Sequence, residues 1–343
     1  MSFRHILPWN KKGGICLKKK IITTVIGLLL IVAMVVTYTM LKPEDSGLQK
    51  IRVSEVTHSA FYAPLYVAIE DGYFEEEGLE IELLLTPGAD KVAAAVLSGD
   101  VEIGFAGPES AIYVYEGGEE DYLVTFAGLT KRDGQFIISK DQEFEWSDLE
   151  GKEVLVGRKG GMPALNFLNA LENAWVDVSK VNINYSVDFA SLSGSYIGGM
   201  GDFVNLFEPN ATKLEDQGFG YVVASIGELS GEMPYTAFYT KKSYFDEQKD
   251  TLEKFNLALN KGIDYVYNHS AREIAEIILP QFPDNSLDEL ESIVLRYKES
   301  DSWLSSTYIS EEYYQNLEDL MIKNDLLDDY VPFNDLVKNL SDE

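Results

Sequence analysis

Four short stretches and one isolated tyrosine carry the side chains able to hold a small molecule. The first stretch is His58-Ser59-Ala60-Phe61-Tyr62-Ala63-Pro64-Leu65-Tyr66. Aromatic faces bind flat ligands, and tyrosine adds a polar tip that orients them. His58, Ser59 and Tyr62 therefore suit one wall of a pocket. The plainer alternative makes the tyrosines core and His58 a helix cap. The second stretch, Gly107-Pro108-Glu109-Ser110, joins a glycine that lets a ligand approach the backbone to a helix start with free N–H groups. An ordinary strand-to-helix turn would look the same. The third, Arg158-Lys159-Gly160-Gly161-Met162-Pro163, offers two cations and open amides to an anion, with Lys159 and Gly161 as the candidate contacts. No Gly-Lys-Ser/Thr closes it as in a nucleotide loop, and a charged surface turn is the alternative. The fourth is Glu208 before Pro209, where a carboxylate either caps a helix or meets an amino or cationic group. Tyr235 follows Pro234 where the chain leaves a second structural unit, and is the last candidate.

Catalytic signatures are missing. The histidines are His5, His58 and His269, and Cys16 is the single cysteine. There is no Gly-x-Ser-x-Gly, no His-Glu-x-x-His and no dense His/Asp cluster. We therefore expect no metal, no cofactor, no disulfide and no enzymatic activity.

Regular elements must position these residues. Ile51–Val56 alternates and reads as a strand. A helix follows with Pro64 in its first turn, an apolar face of Leu65, Ala68 and Ile69, and Gly72 as its stop. Strand Leu79–Leu85, helix Lys91–Leu97, strand Val101–Ala106, a helix from Pro108 to near Gly117, and strands Tyr122–Leu129 and Gln135–Ser139 complete one run. A second run has strand Lys152–Val156, a helix from Pro163 to about Ala174, and strands Val181–Tyr185, Phe203–Phe207, Tyr221–Ser225 and Thr236–Thr240. Helices Gln248–Tyr267, Ala271–Ile278, Leu287–Ser300 and Glu311–Asn324 end the chain. Alternating strand and helix implies an α/β protein with largely parallel sheets. Gly99-Asp100 leads to Phe105 as Gly201-Asp202 leads to Phe207, and a Pro-containing turn follows each. Ligands of open α/β sheets bind beyond the carboxyl ends of the strands, so two such ends suggest a cleft between two lobes.

The formal net charge of −29 argues against nucleic acid as a partner. The acidity is uneven, since all 57 acidic residues follow position 41. Residues 1–20 read as a basic cytoplasmic tail, 21–41 as an uncharged transmembrane signal-anchor, and 42–50 as a linker. About 20 apolar residues span a bilayer, and the basic flank stays in the cytoplasm. This reading predicts a single-pass protein of the cell membrane with its binding domain on the extracytoplasmic side. A cleaved signal peptide is the rival reading.

The segments HSAFYAPLYVAIEDGYFEEEGLEIEL, GADKVAAAVLSGDVEIGFAGPES and FEPNATKLEDQGFGYVVASIG resemble solute-binding proteins of ABC importers, in the branch for nitrate, alkanesulfonates, taurine and thiamine-pyrimidine precursors. The resemblance runs from about residue 51 to 337. It implies a two-lobed type II periplasmic-binding-protein fold, with lobe one at 51–138 plus 240–343 and lobe two at 139–239. It also implies hinge closure on a small molecule, and docking of the monomer on a membrane permease driven by a cytoplasmic ATPase. By position it assigns His58, Ser59, Tyr62, Gly107, Glu109, Gly161, Glu208 and Tyr235 to the cleft. Aromatics with carboxylates suit an aminopyrimidine. Lys159, Ser59 and helix amides would serve a sulfonate or nitrate instead. A pyrimidine-synthase branch of the family carries a cysteine-rich motif that residues 42–343 lack. A ligand-sensing module without transport is the reading from another class.

Overall fold

The computed structural model describes residues 47–341. The expected tail at 1–20, the anchor at 21–41 and most of the linker lie outside the described residues. Among the described residues, no helix is long and apolar enough to cross a membrane.

Among the described residues, ten strands build two sheets. They are β1 (Gln49–Glu55), β2 (Leu79–Leu85), β3 (Ile103–Ala106), β4 (Leu123–Thr130), β5 (Gln135–Ser139), β6 (Glu153–Leu155), β7 (Asn182–Asn184), β8 (Phe203–Phe207), β9 (Tyr221–Ser225) and β10 (Thr236–Lys241). The first sheet has the order β2-β1-β3-β10-β4 and the second β7-β6-β8-β5-β9. In the first, β1 runs parallel to β2 and β3, whereas β10 is antiparallel to β3 and β4. The second repeats this plan: β6 is parallel to β7 and β8, and β5 is antiparallel to β8 and β9. Both sheets are thus mixed, with one reversed strand inserted beside the third. β3 is buried along its whole length, as a strand covered on both faces must be.

The reversed strands explain a difference from the boundaries read in the sequence. Residues 135–138 were expected with lobe one, yet β5 pairs in the second sheet; residues 236–239 were expected with lobe two, yet β10 pairs in the first. Each strand that crosses between the sheets takes its place in the sheet it enters. The repeated Gly-Asp…Phe pattern falls on equivalent strands, with Phe105 on β3 and Phe207 on β8, each third in its sheet. Phe105 stacks on Phe238 of β10 with ring centroids 4.1 Å apart.

The helix Ala63–Glu70 presents the first candidate stretch. Its residues Ala63 to Ala68 are all buried, so it is wrapped by protein and not amphipathic as the sequence suggested. It packs against the long helix Lys249–Asn268 at Gly262, where a Cβ would meet the carbonyl oxygen of Pro64 at 2.2 Å and the methyl of Ala68 at 3.0 Å. Only glycine allows this crossing, and the crossing fixes the helix that follows Tyr62. Gly262→Ala should therefore lower stability by about 1–3 kcal/mol through overpacking, read as a lower urea midpoint with unchanged slope. An unchanged midpoint would show that the helix pair yields freely.

Candidate functional site

A cavity lies where the two sheets face each other. Its empty volume, open to solvent on one side, is about 530 Å³. The carboxyl ends of six strands supply its wall. From the first sheet come Val56 after β1, Gly88 and Ala89 after β2, and Gly107 and Glu109 after β3. From the second come Arg158 and Gly161–Pro163 after β6, Phe189 after β7, and Phe207 at the end of β8. Tyr62, from the turn Ala60–Tyr62, and Tyr235 with Thr236, at the start of β10, complete it. This is the strand-end position where open α/β sheets bind ligands.

Polar groups in and beside the cavity have unused capacity. Glu109 opens the helix Glu109–Glu116 and is wholly buried. Neither of its carboxylate oxygens has a hydrogen-bond partner in the protein. The nearest paired cation is Arg158, with Nη2 at 3.9 Å from Oε1. Burial raises the Glu109 carboxyl to about 7, against the opposing pull of Arg158 and nearby amides. The hydroxyl of Tyr62 is also buried without a hydrogen-bond partner in the protein, and that of Tyr235 lies beside the Asp133 carboxyl without reaching good hydrogen-bond geometry. Burial pushes both phenols well above their ordinary value, so they stay protonated and can donate. Asp133, whose charge acts on both of these phenols, is buried as well. Its Oδ1 accepts from the Gln135 amide at 2.6 Å, and burial raises its carboxyl to about 8 against the opposing pull of that amide and of the neighbouring Tyr235 hydroxyl. Unpaired polar atoms in an enclosed apolar site are costly. A flat ligand bearing N–H donors would satisfy these acceptors and stack on Tyr62, Phe189, Phe207 or Tyr235.

The structure separates the candidate residues into two groups. Tyr62, Gly107, Glu109, Gly161 and Tyr235 line the cavity. His58, Ser59, Lys159 and Glu208 do not. His58 is a strut: Nδ1 lies 2.7 Å from Glu55 Oε1 and Nε2 lies 2.9 Å from the Gln281 carbonyl. Burial lowers its pKa, but the bond and charge of Glu55 outweigh that, and the net direction is upward. Ser59 caps the turn Ala60–Tyr62 by accepting from the Phe61 amide at 3.2 Å, and its hydroxyl donates to the Glu208 carbonyl. Glu208 is wholly buried, but its carboxylate is ion-paired with Arg296 and accepts from the Thr212 amide at 2.8 Å and the Thr212 hydroxyl at 3.0 Å. Of the two roles open to Glu208, the structure shows the cap at the helix Asn210–Asp216. Asp133, Arg158 and Phe189 were not among the predicted contacts. Arg158 stood in a stretch already singled out; Asp133 and Phe189 follow strands in the manner of Glu109 but carry no glycine-proline turn to mark them. Among the described residues, no group of three or more His, Cys, Asp or Glu side chains could hold a metal.

The raised carboxyl gives a test of the site without ligand. A group whose pKa is higher folded than unfolded stabilises the fold below its unfolded value, here about 4.5, and loses that contribution as pH rises through about 7. Glu109→Gln removes the loss. The stability of the variant relative to the parent should rise between about pH 5 and about pH 8 by on the order of 1–3 kcal/mol, measured by urea unfolding. A pH-independent difference would mean that Glu109 ionises normally in the folded protein.

With the geometry in place, known proteins can be compared. The family model described as NMT1/THI5 like matches residues 60–273. YtlA of Bacillus subtilis, a protein named for a binding role, is 39% identical over 297 residues, covering 86% of this chain and 89% of its own. The 4-amino-5-hydroxymethyl-2-methylpyrimidine phosphate synthase of Aspergillus parasiticus is 24% identical over 230 residues, 64% of this chain and 66% of its own. Among solved structures, the alkanesulfonate-binding protein SsuA of Xanthomonas axonopodis pv. citri, bound to MOPS, superposes with a TM-score of 0.67 at 17% identity, covering 84% of this chain and 98% of its own. At that identity the likeness is one of fold, and the fold is that of periplasmic binding proteins. The chain belongs to the NMT1/THI5-like family.

Proposed function

We propose that this chain is the extracytoplasmic substrate-binding component of an ABC importer, closing two lobes as a monomer around a small amino-bearing heterocycle of the thiamine-pyrimidine-precursor class. In this reading residues 21–41 tether it to the membrane, and the closed form delivers its ligand to a permease. The lobes are organised around the two sheets, and the segments 131–134 and 226–235 serve as the hinge.

One observation carries the choice of ligand. Glu109 is a buried carboxylate whose oxygens make no hydrogen bond of good geometry with the protein and whose one close cation, Arg158, stands 3.9 Å away, in the same wall as the phenols of Tyr62 and Tyr235. An exocyclic amino group donates to a carboxylate, and a pyrimidine ring stacks on aromatic faces. An anion in the same place would meet Glu109, and would depend on Arg158 and the amides at Gly161 and Met162 for its attraction. The family relationship to a pyrimidine phosphate synthase supports the heterocycle, and the relationship to YtlA supports a binding role.

The test is a thermal shift and calorimetric titration with 4-amino-5-hydroxymethyl-2-methylpyrimidine, taurine, an alkanesulfonate and nitrate. Binding to the folded state alone adds about 2.7 kcal/mol of stability at a hundredfold excess over Kd. We expect the pyrimidine to raise Tm and the three anions to leave it unchanged. Glu109→Gln should weaken the pyrimidine by about tenfold or more, as a charged hydrogen bond is worth about 1.5–3 kcal/mol, and Lys159→Ala should not. A rise with the sulfonate alone would overturn the heterocycle and transfer the site to Arg158 and the helix amides. No rise with any of the four would overturn the importer assignment in its present form.

A further inference from the structure

Phe189 stands where three cavities meet. It lines the inner cavity described above and also two outer ones. The first outer cavity, with about 660 Å³ of empty space, is walled by Asp90, Lys91 and Asp188 among others, and shares Gly88 and Arg158 with the inner one. The second, with about 560 Å³, is walled by Thr57, Ser193 and Asn210 among others, and shares Val56 with the inner one. Phe189 is the residue common to all three walls.

The three spaces have similar empty volumes, about 530, 660 and 560 Å³, and meet at this ring. The partition is held from one side. Phe189 begins the short turn Phe189–Ser191, is half-buried, and tilts against Phe207 with centroids 5.8 Å apart and planes at 59°. Phe207 is itself buried at the end of β8. A ring backed by an aromatic neighbour on one face and open cavity on the others can bar passage without being part of the core.

We propose that Phe189 is the size filter of this site. Its ring limits the inner cavity to a single-ring ligand, and a smaller side chain at this position would join the inner and outer cavities into one elongated site able to take a two-ring ligand. The ligand half of this inference rests on the aminopyrimidine reading; the partition itself does not.

The experiment therefore has two arms. In the first, the full chain carries Cys16→Ser and Met162→Cys, since Met162 lines the inner cavity and is only 2% exposed. The rate of modification at that position is measured with methyl and benzyl methanethiosulfonate, with Phe189 retained and with Phe189→Leu or Phe189→Ala added. We expect Phe189→Ala to accelerate the benzyl reagent at least tenfold more than the methyl reagent, with Phe189→Leu between. Equal acceleration of both reagents, or none, overturns the filter; the two variants guard against a single one that fails to fold. In the second arm, the protein without these cysteine changes is titrated with 4-amino-5-hydroxymethyl-2-methylpyrimidine and with thiamine, which adds a second ring to the same pyrimidine. The parent should prefer the single ring at least tenfold, and Phe189→Ala should erase that preference by gaining thiamine. An unchanged preference in the variant overturns the filter. A parent that binds neither overturns the ligand class, and the labelling arm then decides the partition alone.

Discussion

Two segments of chain connect the sheets, and they are bonded to each other. The amides of Met233 and Tyr235 donate to the carbonyls of Lys131 and Thr130 at 3.0 and 2.9 Å, and the hydroxyls of Thr130 and Thr236 meet at 2.5 Å. At the other end the Ile226 amide donates to the Gln135 carbonyl at 3.0 Å. Between these points Gly227 lies so close to Asp133 that a Cβ there would stand 2.2 Å from its carbonyl oxygen. A double connection paired along its length resists twisting far better than two independent linkers, while leaving few residues to absorb a bend. It also places Asp133 on one strand of the connection and Tyr235, which lines the cavity, on the other.

The electrostatics of the cavity follow from enclosure. Glu109 and Asp133 carry raised pKa values because burial penalises their ionised forms, and Arg158, 45% exposed in its side chain, offsets this only in part for Glu109. Burial raises the Glu208 carboxyl as well, but Glu208 is held by Arg296 and two bonds from Thr212, which oppose the shift. Of the three, Glu109 lines the cavity and Glu208 belongs to the framework. Across the same cleft Tyr113 donates to the Gly160 carbonyl at 2.8 Å, one helical turn beyond Glu109. The helix that lines the cavity with its first residue therefore also bonds the turn at 158–161 with its fifth.

Much of this was legible in the sequence. The short apolar runs around Ile51, Ile103, Val154 and Phe203 form strands because their neighbours are turn formers and helix starts, which is local information. Glu109 and Gly161 could be placed because each follows a strand through a glycine- and proline-bearing turn. What could not be read depends on residues distant in the chain. Glu208 and Glu109 each stand in a proline-bearing turn after a strand, and Arg296, 88 residues after Glu208, is what distinguishes them. His58 reads in the sequence as a cleft residue or a helix cap; its partners are Glu55, three residues away, and Gln281, 223 residues away. Nothing local says that β5 joins the second sheet and β10 the first, because either strand has the composition to pair in either sheet. That exchange is also what brings Asp133 beside the cavity.

The most direct measurement is a crystal structure of the protein with 4-amino-5-hydroxymethyl-2-methylpyrimidine bound. The account predicts the ring between the aromatic walls of the inner cavity, with its exocyclic amino nitrogen about 2.7–3.0 Å from a Glu109 carboxylate oxygen. A ring bound elsewhere, or one whose amino group points away and leaves both Glu109 oxygens unpaired, would contradict it.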